Sequence, residues 1–333
     1  MAAIHAGRGG SPALVLDGQM RIGAKILVAG GGRCNVTHHE VLPKDYAGSS
    51  RNAIAKVLRE FTVEDTITFF NELGVRLKKE ETGKLFPTTD KSRTVLDALT
   101  HAVNDSGGEI RYPSRVTAIT RTESGTFEIL GDDFTIEADR VVLATGGKAL
   151  PKSGSDGFGH SLASKLGHTI TSEVFPSLVP LKLPEGDPLC GLSGITLPAT
   201  FTIRSTQGKS LEEFSNSTLL THFGISGPSV LDISRYFIMR KRAGEMVVLH
   251  ANWLPDYSSA TLDSEILSHA RNGVGPWLRE HLPERFVRSM LELVHTPPAT
   301  PGRAMNRDAR KRLVELITKM PMDVTGDRGF AHA

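Results

Sequence analysis

Two cysteines, Cys34 and Cys190, are all that the 333 residues contain. Their scarcity rules out a disulfide scaffold, and with no C-x-x-C pair neither redox-disulfide nor zinc-ribbon chemistry has its ligands. No apolar run reaches the roughly 18 residues that a membrane-spanning helix needs. The first residues lack the basic-then-apolar pattern of a signal peptide. Excess charge of one sign is also missing: 39 Lys and Arg against 37 Asp and Glu leave a formal net charge of +2. That gives no drive toward nucleic acid or an anionic membrane. His5, His38, His39, His160 and His168 show no metal-ligand spacing, so no metal is expected. What remains is a cytoplasmic chain acting on a small molecule, long enough for two or three domains, with an ordinary globular balance of 39% hydrophobic and 23% charged residues. Composition leaves the oligomeric state open.

Glycine is plentiful, and its placement is informative. Gly30, Gly31 and Gly32 are followed at once by Arg33, Cys34 and Asn35. Three successive residues without a Cβ let backbone N–H groups approach a phosphate or a flat ring, and arginine adds a planar donor fork. A surface ion pair is the competing reading for Arg33. Upstream, the strand-like run 13–17 ends on Asp17. An acid at the end of the second strand of a dinucleotide-binding unit takes the adenosine ribose hydroxyls. The G-x-G-x-x-G turn belonging to that acid should precede it by about 20 residues, a count that runs off the sequence at Met1. Residues 2–6 read as the first crossover helix, and Gly7-Arg8-Gly9-Gly10 precedes a strand instead of following one, so it cannot serve as the fingerprint.

Further along, residues 51–73 carry helical apolar spacing, divided by Thr62-x-x-Asp65, a capping-box pattern. Residues 75–86 predict a hairpin turning at 80–83, and 91–104 a helix stopped by the glycine pair at 107–108. Residues 116–121, 125–130 and 133–137 predict an antiparallel meander. Residues 138–147 read as a buried parallel strand ending on Gly146 and Gly147, the way an open α/β sheet presents a ligand. Prolines at 176, 180, 184, 188 and 198 mark departure from that unit. Residues 197–204 and 245–251 predict strands of a β-rich region, 262–294 interrupted helices, and 307–319 a basic amphipathic helix with a solvated face.

The segments Gly30-Gly31-Gly32-Arg33-Cys34-Asn35-Val36-Thr37, Leu85-Phe86-Pro87, Leu143-Ala144-Thr145-Gly146-Gly147 and Leu220-Thr221-His222-Phe223-Gly224-Ile225-Ser226-Gly227-Pro228 occur in this order. Together they resemble the BaiN-type family of NAD(P)/FAD-dependent oxidoreductases, which includes aminoacetone-oxidase-like flavoproteins. The resemblance implies an α/β fold: an FAD-binding Rossmann-type domain of the two-dinucleotide flavoprotein kind, with an inserted β-barrel-like domain and a small helical domain. The implied boundaries are 1–180 for the Rossmann-type part, 181–255 for the first part of the β-rich insert, 256–303 for the helical insert and 304–333 for the return segment. It implies FAD as cofactor and NAD(P)H as reductant of a small organic substrate. Asp17 aligns with the ribose acid, Gly30 to Asn35 with the loop beside pyrophosphate and flavin, and Val116 with the residue whose backbone meets the adenine. Thr145, Gly146 and Gly147 align with the second glycine motif. Relative to that family the first strand and its glycine turn, and a C-terminal glycine-rich return, fall outside the 333 residues. The expectation is therefore weak FAD binding by this polypeptide, and a non-catalytic remnant serving as a binding module is the alternative.

Cys34 is expected to pack quietly rather than act as a thiol partner. His222 is a candidate acid or base, with a structural histidine at a domain interface as the competing reading. Ser161 lacks the G-x-S-x-G setting of a nucleophile. No catalytic residue is assigned.

Overall fold

A computed structural model describes residues 1–46, 48, 50–171 and 173–333. The chain divides into two compact units, Met1–Gly147 with Lys152–Ile170, and Lys148–Pro151 with Thr171–Ala333.

In the first unit, α1 (Ala2–Arg8) leads through a turn to β1 (Leu14–Leu16) and then α2 (Ala24–Val28). The glycine loop follows α2 and runs into β2 (Thr37–His38). Next come α3 (Arg51–Glu60), α4 (Val63–Glu72), β3 (Leu77–Lys79), β4 (Lys84–Pro87), α5 (Ser92–Asp105) and β5 (Glu109–Arg111). The predicted capping box divides α3 from α4: Thr62 Oγ1 accepts the Asp65 N–H at 3.1 Å, and Asp65 Oδ2 accepts the Thr62 N–H at 2.8 Å. β3 and β4 form the predicted hairpin, and β2 adds to its other edge.

β1 and β5 pair in parallel, Val15 opposite Ile110. Side chains alternate across a strand, so Val15 joins an apolar cluster of Ile4, Phe69, Phe70, Val95 and Val103 from the helices. Its neighbour Leu16 joins a second cluster with Ile119, Ile129 and Leu162. That second cluster belongs to the meander β6 (Val116–Arg121), β7 (Phe127–Gly131) and β8 (Thr135–Ala138), and to α6 (Phe158–Lys165). Covering a parallel pair on both faces is the rule for α/β units.

The buried parallel strand expected over 138–147 is absent. Residues 141–147 form no strand, and Val142 is 71% exposed. An extended run becomes a strand only where a neighbour takes its backbone N–H and C=O groups. Among the described residues no strand lies alongside it; the parallel sheet consists of β1 and β5. The apolar sequence of 141–144 has strand propensity without a ladder to join.

The second unit is built on a seven-stranded sheet in the order β14, β13, β10, β11, β12, β9, β15. These strands are β9 (Leu181–Lys182), β10 (Thr196–Ser205), β11 (Ser210–Thr221), β12 (Gly224–Ser226), β13 (Val247–Asn252), β14 (Met320–Met322) and β15 (Gly326–Asp327). All neighbours are antiparallel. Along β10, Leu197, Ala199, Phe201 and Ile203 point inward and are buried. Helix α7 (Pro228–Arg242) and helices α8 (Ser259–His269), α9 (Val274–Arg279), α10 (Glu284–Leu293) and α11 (Arg307–Thr318) bury their apolar stripes in the same core. Trp253 sits fully buried, edge-on to Phe201 and Phe286 at 5.8 and 5.4 Å. β11 and α7 were not predicted from sequence. Glu212, Glu213, Ser215 and Asn216 hide the alternation of β11. The helical spacing of Val230, Ile233, Phe237 and Ile238 after Gly227-Pro228 was a usable signal for α7.

Candidate functional site

Asp17 stands at the carboxyl end of β1, half-buried. Its Oδ1 accepts the Gln19 N–H at 2.9 Å, and its own backbone is tied to Arg111 and Ser114. The local turn therefore fixes where the carboxylate sits.

A chain of short approaches connects the segment after Asp17 with the second glycine motif through residues 154–159. A Cβ built on Gly154 would lie 3.2 Å from Gln19 Cγ. Lys25 Nζ donates to Ser155 Oγ at 3.0 Å. Ser155 is buried, and a Cβ on Gly146 would lie 2.6 Å from its Oγ. Gly146 also has φ 73°, so glycine is required there for both space and conformation. A Cβ on Gly159 would meet Thr145 Oγ1 at 1.9 Å. Thr145 and Gly146 are thus exposed to solvent on one side and seated against Gly159 and Ser155 on the other, while Gly147 is exposed and a Cβ there would meet nothing within 4 Å. Gln19, Lys25 and Ser155 were not singled out in the sequence; the small polar run 154–157 ahead of α6 was the only hint.

Gly30, Gly31 and Gly32 have φ of 56°, 68° and 85°, and Cys34 has φ 64°. Around Gly31 a Cβ would meet nothing within 4 Å, so its backbone faces open space. Cys34 is buried among Ile4, Phe69 and Val95, and burial pushes its thiol above the ordinary range, which suits packing rather than nucleophilic chemistry. Asn35 is exposed and Val116 half-buried at the start of β6. Arg33 turns to a different set of partners: Glu80 Oε1 at 2.5 Å, Asp90 Oδ1 at 3.6 Å and the face of Phe86 at 4.1 Å. In the second unit, His222 lies exposed in the turn between β11 and β12, edge-on to Phe223. The Arg328 guanidinium covers Phe223 at 4.3 Å and meets His332 Nε2 at 2.9 Å. Among the described residues no group of His, Cys, Asp and Glu could hold a metal ion, and no helix is long and apolar enough to cross a membrane.

A parallel strand pair covered on both faces, an acid at a strand's carboxyl end and two glycine motifs define a Rossmann-type flavoprotein, an oxidoreductase class. The chain belongs to the family described as HI0933-like protein Rossmann domain, whose sequence profile matches residues 1–261. It is 30% identical to a 3-dehydro-bile acid delta(4,6)-reductase of Clostridium scindens over all of this chain and 82% of that protein. It is also 30% identical to a ribosomal RNA dihydrouridine synthase of Escherichia coli, over 98% of this chain and 79% of that one. Among solved structures, glycine oxidase from Geobacillus kaustophilus aligns with 75% of this chain and 77% of its own, at 15% identity and a TM-score of 0.28.

Proposed function

We propose that the chain is an FAD-dependent reductase. On this reading the first unit holds the adenosine and pyrophosphate end of the cofactor, NAD(P)H is the reductant, and a small organic molecule is reduced. The observation that carries it is Asp17, a carboxylate fixed by a local turn at the carboxyl end of a parallel strand, where a ribose diol is recognised. The residues present fit such a group: the open backbone at Gly31 leaves room for a phosphate or ring edge, and Gly30, Gly32, Cys34 and Asn35 complete that loop. Val116 meets the adenine through its backbone, and Thr145, Gly146 and Gly147 form the second contact segment. Bound flavin would supply hydride transfer, chemistry that no side chain here provides.

The substrate class follows from what the relatives' names have in common. Reduction of a 3-dehydro steroid at delta(4,6) and formation of dihydrouridine both saturate a ring carbon–carbon double bond conjugated with a carbonyl. We assign the same bond type to this chain, in a small molecule: a net charge of +2 supports that choice over a polyanionic RNA. A cytoplasmic location is part of the same reading, supported by the scarcity of cysteine.

Titration of the purified chain with FAD, followed by flavin fluorescence, tests the cofactor half. Losing charge-assisted hydrogen bonds to the ribose costs about 1.5–3 kcal/mol, so Asp17→Ala should weaken binding by about ten- to a hundredfold. Binding that ignores this substitution refutes the site, and a chain that takes up no flavin supports the binding-module alternative. With FAD supplied, NAD(P)H consumption dependent on a cyclic enone tests the substrate half. Consumption dependent on ribosomal RNA alone, with dihydrouridine formed, overturns it.

A further inference from the structure

Holding the glycine loop in a single shape carries a high entropic cost. Three successive glycines in left-handed conformations lose more freedom on ordering than any other residues would. Residues Ala29–Gly32 form a 3-10 turn, closed at its end by Arg33 N–H to Gly30 O at 3.4 Å and Cys34 N–H to Ala29 O at 2.9 Å. Gly31 touches nothing on its Cβ side. Contacts from outside the loop add to these closures.

Phe86 of β4 supplies the floor. It is 2% exposed, and its ring has Gly30 on one side, where a Cβ would lie 2.7 Å from Cε1, and the Arg33 guanidinium on its face at 4.1 Å. The loop therefore straddles one aromatic ring. The guanidinium is fixed on that ring by Glu80, in the β3–β4 turn, and by Asp90, just past β4. Asp90 is itself paired with Lys78 of β3. Two cations and two carboxylates balance, so Arg33 carries no unmet charge toward a ligand. β2 continues the same attachment, with Val36 N–H to Leu85 O at 2.9 Å. Loop and hairpin form one mechanical piece.

We propose that Glu80 and Asp90 are positioning residues for the glycine loop: they clamp Arg33 onto Phe86 and so hold residues 30–35 in the shape that presents their backbone to a ligand. Arg33 is then a tether behind the loop and not a phosphate ligand. The ligand half of this statement rests on the proposed FAD site; the clamp half does not.

The two roles of Arg33 predict opposite signs. If it is a tether, Glu80→Gln and Arg33→Gln both loosen the loop, both weaken FAD binding, and the double variant is no worse than either single. If it is a phosphate ligand, Glu80→Gln releases it toward the phosphate and tightens binding, while Arg33→Gln weakens it. Hydrogen exchange in the ligand-free protein reads the clamp directly at the amides of residues 33 and 34. Exposed pairs and a cation–π contact are individually small, so Glu80→Gln should speed exchange there by about two- to fivefold and Arg33→Gln, which also loses the ring contact, by about tenfold. Exchange in α5 should be unchanged, which separates a local clamp from general destabilisation. Added salt should speed exchange in the parent more than in Glu80→Gln, where only the Asp90 pair remains to be screened. Unchanged exchange at 33 and 34 in both single variants overturns the clamp whatever FAD does. Faster exchange with tighter FAD binding in Glu80→Gln overturns the tether role. A chain that shows the exchange pattern yet takes up no flavin keeps the clamp and sinks the cofactor site instead.

Discussion

Replacing Gly159 by alanine asks whether residues 145–147 rest on α6. Gly159 is buried in the first turn of that helix, and the new Cβ would lie 1.9 Å from Thr145 Oγ1 and 3.0 Å from Thr145 Cβ. The first approach is impossible, so the hydroxyl must rotate away or the segment must retreat. Overpacking of this kind costs about 1–3 kcal/mol. Against it, alanine in a helix is favoured over glycine by about 0.5–1 kcal/mol. The expected net loss is therefore about 0–2.5 kcal/mol. The lower half of that range is favoured for global unfolding, because the exposed Thr145 segment can swing outward. Local order should suffer more than global stability. Urea unfolding measures the first and hydrogen exchange at 144–148 the second. Thr145→Ala in the Gly159→Ala background removes the hydroxyl clash and should restore most of the loss. Gly159→Ala with parental stability and parental exchange at 144–148 would refute the seating of this segment on α6.

Other consequences can be checked by unfolding measurements. Thr62→Ala removes the side-chain cap of α4 and should cost about 1 kcal/mol; an unchanged melting temperature would mean the box contributes nothing. Phe201→Ala empties a fully buried site beside Trp253 and should cost about 3–5 kcal/mol, with a red shift of tryptophan emission; a blue or absent shift would contradict the packing. Burial, with Arg204 and Lys319 nearby, lowers the pKa of His250 below its ordinary 6.5. The fold then keeps this imidazole neutral where the unfolded chain has taken up a proton, so stability is full above that range and falls as pH drops through it. His250→Gln should flatten the melting temperature between about pH 7 and about pH 5; an unaltered slope would show that His250 titrates as freely in the fold as out of it.

Local signals along the chain determined much of the architecture. Thr62 and Asp65 specify a helix break because a cap is satisfied within four residues, and the 80–83 turn specifies its hairpin for a similar reason. Asp17 and the three glycines point to a dinucleotide site from sequence because strand-end acid and missing Cβ atoms act through the chain's own backbone. Partners distant in sequence could be decided only by the tertiary structure. The 141–144 run has strand composition, but a strand exists only where another strand accepts its hydrogen bonds, and none does here. Arg33 follows the glycines as a phosphate-binding arginine would. Glu80 and Asp90, 47 and 57 positions away along the chain, take its charge instead. Ser155 gave no sign of joining Lys25 to Gly146, because a hydroxyl's partners depend on which segments the fold brings within about 3 Å of it.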